Sequence, residues 1–269
     1  VISNLSTSPY WVAPTSDNFK ANIVKAASFS AGIMNSNIYH KTIFVDSDTN
    51  SRYSDFNVLS IITPPSSLFD YDTGIYVKGV NYLSSNQVWT GNYFQKGELW
   101  ERLGNIEYFD KQGDLLFEQN VGLRAHGGKG RNLPQKSLRL YSRSEYGAPR
   151  INYPFLDYKT ERVFSRLIIR NILSCWNQSV IKDECTAYIS RNLNFETLDS
   201  HPVVVFINGE YWGLQNIREY FDDNFIEQAY GIEEDSINIV IHGSGNRSGQ
   251  PLTWGTVEGN NNGHVQLYD

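Results

Sequence analysis

VGLRAHGGKGRNLPQKSLRLYS, residues 121–142, reads as strand, glycine-rich turn, strand. Apolar and polar positions alternate through Val121, Leu123 and Ala125, and again where Leu138 and Leu140 interleave with Ser137, Arg139 and Tyr141. Gly127, Gly128 and Gly130 allow left-handed backbone and close approach in the bend. Lys129, Arg131 and Lys136 surround that bend with positive charge. Such a loop can aim N–H groups and an ammonium at a phosphate. Its spacing is neither that of a P-loop nor that of a dinucleotide fingerprint, and a solvated basic hairpin is the plain alternative.

Outward from this stretch, composition sets bounds. The chain has 269 residues, enough for one large or two smaller domains. Charged residues make up 19% and the formal net charge is −6, which excludes the basic footprint of a nucleic-acid binder. Seventeen Tyr, six Trp and a single Met point to a β-rich protein that is secreted or held at the cell surface. No apolar run is long enough for a membrane span. The chain opens on Val1 with no leader of its own, so a removed leader or a cut chain is expected. Cys175 and Cys185, if they share a helix, lie about 15 Å apart along its axis, too far for a disulfide. The five histidines are scattered, which argues against a structural zinc site.

Residues 1–52 are expected to be part of a small β-sandwich with a polar linker, with strands near Ile23–Phe29 and Ile38–Val45. Residues 53–269 are expected to form one domain. FNVLSII, RLIIRN and INIVIH read as strands within it. PVVVFINGEYWGLQNI reads as a hairpin whose Asn208–Gly209 suits a type I′ turn. Helices are predicted over 179–193, with Ser179 as cap and an apolar stripe of Val180, Ile181, Ala187, Tyr188 and Ile189, and over 218–229 before Gly231. Residues 243–264, rich in Gly, Asn and Ser, read as loop. The class expected is α+β, with a mainly antiparallel sheet and two helices.

Gly122, Arg124, His126 and Gly127, followed by Pro134, Lys136, Ser137 and Arg139, resemble the hallmark of the CotH family, the spore-coat protein kinase-like proteins. LSIITPPSSLFDYDTGIYVKG, LWERLGNIEYFD, LIIRN and FINGEYWGLQNIRE resemble further family segments in the same order. Residues 1–46 resemble the end of a sandwich of the chitobiase/hexosaminidase C-terminal type. The resemblance implies a remote protein-kinase-like lobe that uses ATP and Mg or Mn to phosphorylate Ser or Thr on a protein substrate. It gives nucleotide contacts to Lys136, Arg124, Gly127, Gly128, Arg131 and Arg139. The family's catalytic and metal aspartates lie in stretches resembling N-x-D-x-x-x-x-N and W-D-x-D-x-x-x-G, and neither occurs before Asp269. The resemblance therefore implies an amino-terminal portion that is inactive alone, with no catalytic or metal residue assigned.

Other residues admit two readings. Glu184 or Glu219 could hold Lys136, or face water. Asp222 and Asp223 could bind metal, or, as adjacent carboxylates on a helix, point apart and face water. His126 is a structural histidine or a base. Gly243, Gly245 and Gly249 with Asn246 and Arg247 form a mobile loop or an anion loop. Two further functions stay open. One is a non-catalytic binding or adhesion module presenting Tyr10, Trp11 or Trp212. The other is a carbohydrate-associated domain with a glycan or cell-surface partner.

Overall fold

The computed structural model describes residues 7–8, 10, 12, 18–36, 38–45, 53, 55–87, 89–156, 162–171, 181–242 and 254–258. Two compact units divide the chain, Val1–Arg218 and Glu219–Asp269. In the first unit, β1 (Asn22–Ala26) pairs antiparallel with β4 (Tyr39–Ile43), and β2 (Phe29–Ser30) with β3 (Ile33–Met34). These two small sheets do not by themselves identify a sandwich.

The rest of the unit is built on β5 (Asn57–Ile62), β6 (Arg102–Phe109), β7 (Leu115–His126), β8 (Ser137–Tyr141), β9 (Arg166–Arg170), β10 (Ser200–Ile207) and β11 (Glu210–Arg218). They close into a seven-stranded barrel in the order β10-β11-β9-β8-β7-β6-β5. All pairs are antiparallel except β10 with β5, whose register runs from Val203↔Asn57 to Ile207↔Ile61. Alternation turns one side chain in two inward. Leu59, Ile61, Ile106, Tyr108, Val121, Leu123, Leu138, Leu140, Leu167, Ile169, Val203, Val205 and Ile217 belong to one buried cluster. A second cluster, Val58, Phe109, Val204 and Phe206 with Phe19, Phe44 and Tyr53 against it, covers the outward side chains of β5 and β10. That double coverage explains the unbroken apolar run Val203–Ile207 of β10 and the apolar pairs Val58–Leu59 and Ile61–Ile62 of β5.

The expected α+β class, a kinase-like lobe with two helices, is therefore overturned. The architecture is mostly β, a closed barrel. Closure removes both sheet edges, so the barrel is completed by strand pairing and not by helices laid on an open sheet. Three helices occur among the described residues: α1 (Pro65–Phe69), α2 (Lys182–Ser190) and α3 (Asp223–Tyr230). The helix predicted over 179–193 is shorter at its described end, and Ser179 and Val180 lie outside the described residues. The helix predicted over 218–229 begins later because Arg218 still pairs with Ile168 at the end of β11.

In the second unit, Asp222 caps α3 by accepting from the Phe225 amide at 2.9 Å, and Gly231 ends it at φ +67°. β12 (Ile239–His242) pairs antiparallel with β13 (Trp254–Glu258), so the loop expected over 243–264 contains a strand. No described helix is long and apolar enough to cross a membrane.

Candidate functional site

β7 and β8 are antiparallel neighbours, paired from Gly122↔Tyr141 to His126↔Ser137. Residues 127–136 join them. Gly127 adopts φ +104°, a conformation that a side chain resists, while a Cβ there would meet nothing within 4 Å. The glycine is thus required by the backbone and not by crowding. Gly128 opens a short 3₁₀ turn, Lys129–Asn132. Arg131 laces the bend together: its Nε donates to the Gly127 carbonyl at 2.5 Å, and its Nη1 to the carbonyls of Tyr93 and Gln95 at 3.3 and 3.4 Å. Burial, helped by Arg139 and Arg124, lowers its pKa to about 10.

Lys136 closes the turn and is fully buried, at 0% exposure. Its amide donates to the Tyr76 hydroxyl at 2.7 Å. Its ammonium donates to two carbonyls, Leu133 and Thr7, each at 2.6 Å, and lies 4.3 Å from the Tyr93 ring centroid and 5.1 Å from that of Tyr76. No described carboxylate is bonded to it. Burial alone drives its pKa well below the usual lysine range. Tyr76 also accepts from Trp212 Nε1 at 2.8 Å, and Gln135 Nε2 donates to the Trp212 carbonyl at 2.7 Å. The Tyr93 hydroxyl is buried with no hydrogen-bond partner among the described residues. Sequence reasoning missed Tyr93 and Thr7 altogether. Tyr76 stood inside the stretch LFDYDTGIY, where its apolar neighbours gave it the character of a core residue.

Arg124 and Arg139 occupy the other side of β8. Leu138 and Leu140 point inward, so Arg139 points out, directly opposite Arg124 in register. Both guanidiniums converge on the Tyr141 hydroxyl, Arg139 Nη1 at 3.1 Å and Arg124 through Nη2, and Arg124 stacks 4.4 Å above the Tyr141 ring centroid. Arg139 Nη2 lies 2.8 Å from His126 Nδ1. Burial first, then the charges of Arg139, Arg131, Arg170 and Arg218, lower the His126 pKa to about 3. The imidazole is therefore neutral at pH 7, and Nδ1 accepts. It is a structural histidine and not a base poised near neutrality.

Along the same face, Arg170 and Arg218 bracket Asp183 of α2, the latter at 3.7 Å. Glu184 accepts from Asn216 Nδ2 at 2.8 Å. Of the residues expected together, the structure gathers Arg124, Arg131 and Arg139 around one face, while the Lys136 ammonium is held by the Leu133 and Thr7 carbonyls. Glu184 is spent on Asn216, and the carbonyl partners of Lys136 take the role considered for Glu184 or Glu219. Asp222 and Asp223 serve the start of α3, Asp223 accepting from the Asn224 amide at 2.9 Å. No group of three His, Cys, Asp or Glu able to hold a metal occurs among the described residues. Tyr10 is exposed, whereas Trp212 is half-buried against Tyr76 and Phe69. Cys185 is free and exposed; Cys175, Trp11 and the glycines at 243, 245 and 249 lie outside the described residues.

A family model described as CotH kinase protein matches residues 123–266, more than half of the chain, beginning inside β7 and taking in the whole turn and Lys136. No curated protein matches the chain.

Proposed function

Because the chain belongs to the CotH kinase family, we propose that it binds the phosphates of ATP at Lys136 and the Gly127–Gly128 turn, as the nucleotide-holding part of a protein that phosphorylates Ser or Thr. The observation that carries this reading is the buried Lys136 ammonium, held by neutral carbonyls and aromatic faces and, among the described residues, by no carboxylate. Burial disfavours the charged form of this side chain, and an anionic ligand beside it favours that form again. The buried Tyr93 hydroxyl, a donor without a partner among the described residues, fits the same ligand. Phosphoryl transfer depends mainly on positioning and on neutralising phosphate charge, which is what an ammonium and donors in a water-poor recess supply.

Arg124 and Arg139 meet at the Tyr141 hydroxyl, and Arg139 reaches His126 at the end of β7, beside the turn. Magnesium or manganese finds no ligand set among the described residues, so no step is derived through a metal. No side chain is assigned as catalytic.

Isothermal titration with ATP, with and without Mg²⁺, tests the reading on the wild type, Lys136→Met and Arg124→Gln. Lys136→Met keeps the length of the stem and removes the buried charge, so the fold is retained. Affinity is expected to fall more than about tenfold in Lys136→Met, the loss of one charge-assisted contact of 1.5–3 kcal/mol, and little in Arg124→Gln. Equal affinity of Lys136→Met and wild type rules the site out.

A further inference from the structure

One ligand of the Lys136 ammonium comes from far along the chain. The Thr7 carbonyl lies 129 positions away in sequence and 2.6 Å away in space. Thr7 and its neighbour Ser8 are buried, at 5% and 1% exposure. Ser8 Oγ donates to the Asn132 carbonyl and accepts from the Tyr10 amide at 3.0 Å. Thr7 and Ser8 thus lie against the turn, Thr7 on the Lys136 ammonium and Ser8 on the Asn132 carbonyl.

The three contacts are unequal partners for what they cover. A neutral carbonyl is a weaker ligand for an ammonium than an oxyanion, because an oxyanion adds the attraction of a second full charge to the hydrogen bond. The Tyr93 hydroxyl, whose ring the ammonium overlies, remains without a partner among the described residues while Thr7 and Ser8 are in place. The recess is therefore filled but not satisfied.

We propose that Thr7–Ser8 is a displaceable strap: the Thr7 carbonyl holds the position on Lys136 that a phosphate oxygen of the nucleotide takes, and nucleotide binding expels the pair. The inference rests on the nucleotide reading above and adds its regulation. Whatever pulls the strap away raises affinity, and whatever pins it lowers affinity, because the apparent dissociation constant scales inversely with the uncovered fraction.

Two measurements on the whole chain test it. Hydrogen exchange of the Tyr10 amide, which the Ser8 hydroxyl now protects, is expected to speed up at saturating ATP in the wild type and to stay unchanged on adding ATP to Lys136→Met. Ser8→Ala, which removes one strap bond, is expected to bind ATP about fivefold more tightly. ATP binding that needs Lys136, with Tyr10 exchange unaltered by ATP and Ser8→Ala no tighter than wild type, refutes the strap and leaves the nucleotide site standing. Binding by Ser8→Ala but not by wild type supports a strap that is closed. Failure of both proteins to bind ATP overturns the nucleotide reading and the strap with it. Should Ser8→Ala not fold, the wild-type exchange experiment decides alone.

Discussion

Acid should unfold this protein through His126. The imidazole lies on the outward face of β7, within reach of Arg139 at 2.8 Å and of the fields of Arg131, Arg170 and Arg218. Its pKa falls from the ordinary 6.5 to about 3, burial contributing most. The folded protein therefore refuses a proton that the unfolded chain takes up below pH 6.5. Stability from this site is complete above that value and is lost as the pH falls toward 3, at about 1.4 kcal/mol per unit. By pH 4 the loss amounts to roughly 3 kcal/mol, a large part of a typical domain's stability. Urea unfolding of the wild type and His126→Gln at intervals from pH 7.5 to 4 measures it. Glutamine can accept from Arg139 but does not titrate, and every other titratable group is common to both proteins. The wild type is expected to lose roughly 3 kcal/mol more than the variant between pH 7 and 4. Parallel curves for the two proteins would refute the reasoning.

Tyr76→Phe leaves two buried donors, the Lys136 amide and Trp212 Nε1, without their shared acceptor. It should cost roughly 2–4 kcal/mol in chemical denaturation; a loss below about 0.5 kcal/mol would show that the hydroxyl does not organise the recess. Gly79→Ala places a Cβ 2.0 Å from Asn92 Nδ2 and 2.4 Å from the Tyr71 carbonyl, at φ +55°. Asn92 cannot yield, since Nδ2 donates to the carbonyls of Tyr71 and Asp72 at 3.0 and 3.3 Å. The variant should lose more than about 2 kcal/mol, whereas Gly32→Ala, at φ +80° with nothing within 4 Å, should lose only about 1 kcal/mol. Equal losses in the thermal or urea transition would mean that crowding at Gly79 is relieved.

What could be read from the sequence was local. The β7–β8 hairpin follows from alternation across the glycine turn, and the Asn208–Gly209 turn has positive φ at both residues, 51° and 83°. Barrel closure was not legible, because it rests on a parallel pairing of Val58 with Val204, residues that carry no mutual signal in sequence. The helix around Lys182–Ser190 shows a subtler failure. Its apolar stripe suggested a face turned to the core, yet Ile181 and Ile189 are 55% and 76% exposed. The helix is tied to β9 and β11 by Asp183 and Glu184 instead. Periodicity located the helix but did not say which side of it was bound. The direction of Lys136 escaped for a similar reason: it stands two residues before Leu138 and shares that residue's side of the strand, opposite to Arg139.

The treatment of another buried charge sets Lys136 apart. Glu101 is buried at 8% exposure, and the fold surrounds it with partners. Arg143 reaches it through Nε at 2.9 Å and Nη2 at 3.2 Å, and the Tyr146 hydroxyl donates to it at 3.0 Å. Even the strand beside it gives way, for a Cβ on Gly122 would lie 2.2 Å from Glu101 Oε1, which accounts for the glycine that opens the family hallmark. At Glu101 this chain supplies the opposite charge and clears the space for it. At Lys136 it supplies two carbonyls, two aromatic faces and a neighbouring hydroxyl left without a partner among the described residues. A fold able to neutralise Glu101 so thoroughly could have placed a carboxylate at Lys136, and replacing the charge by an apolar side chain would have been less costly still. Keeping the ammonium there is consistent with a negative charge that arrives from outside the chain.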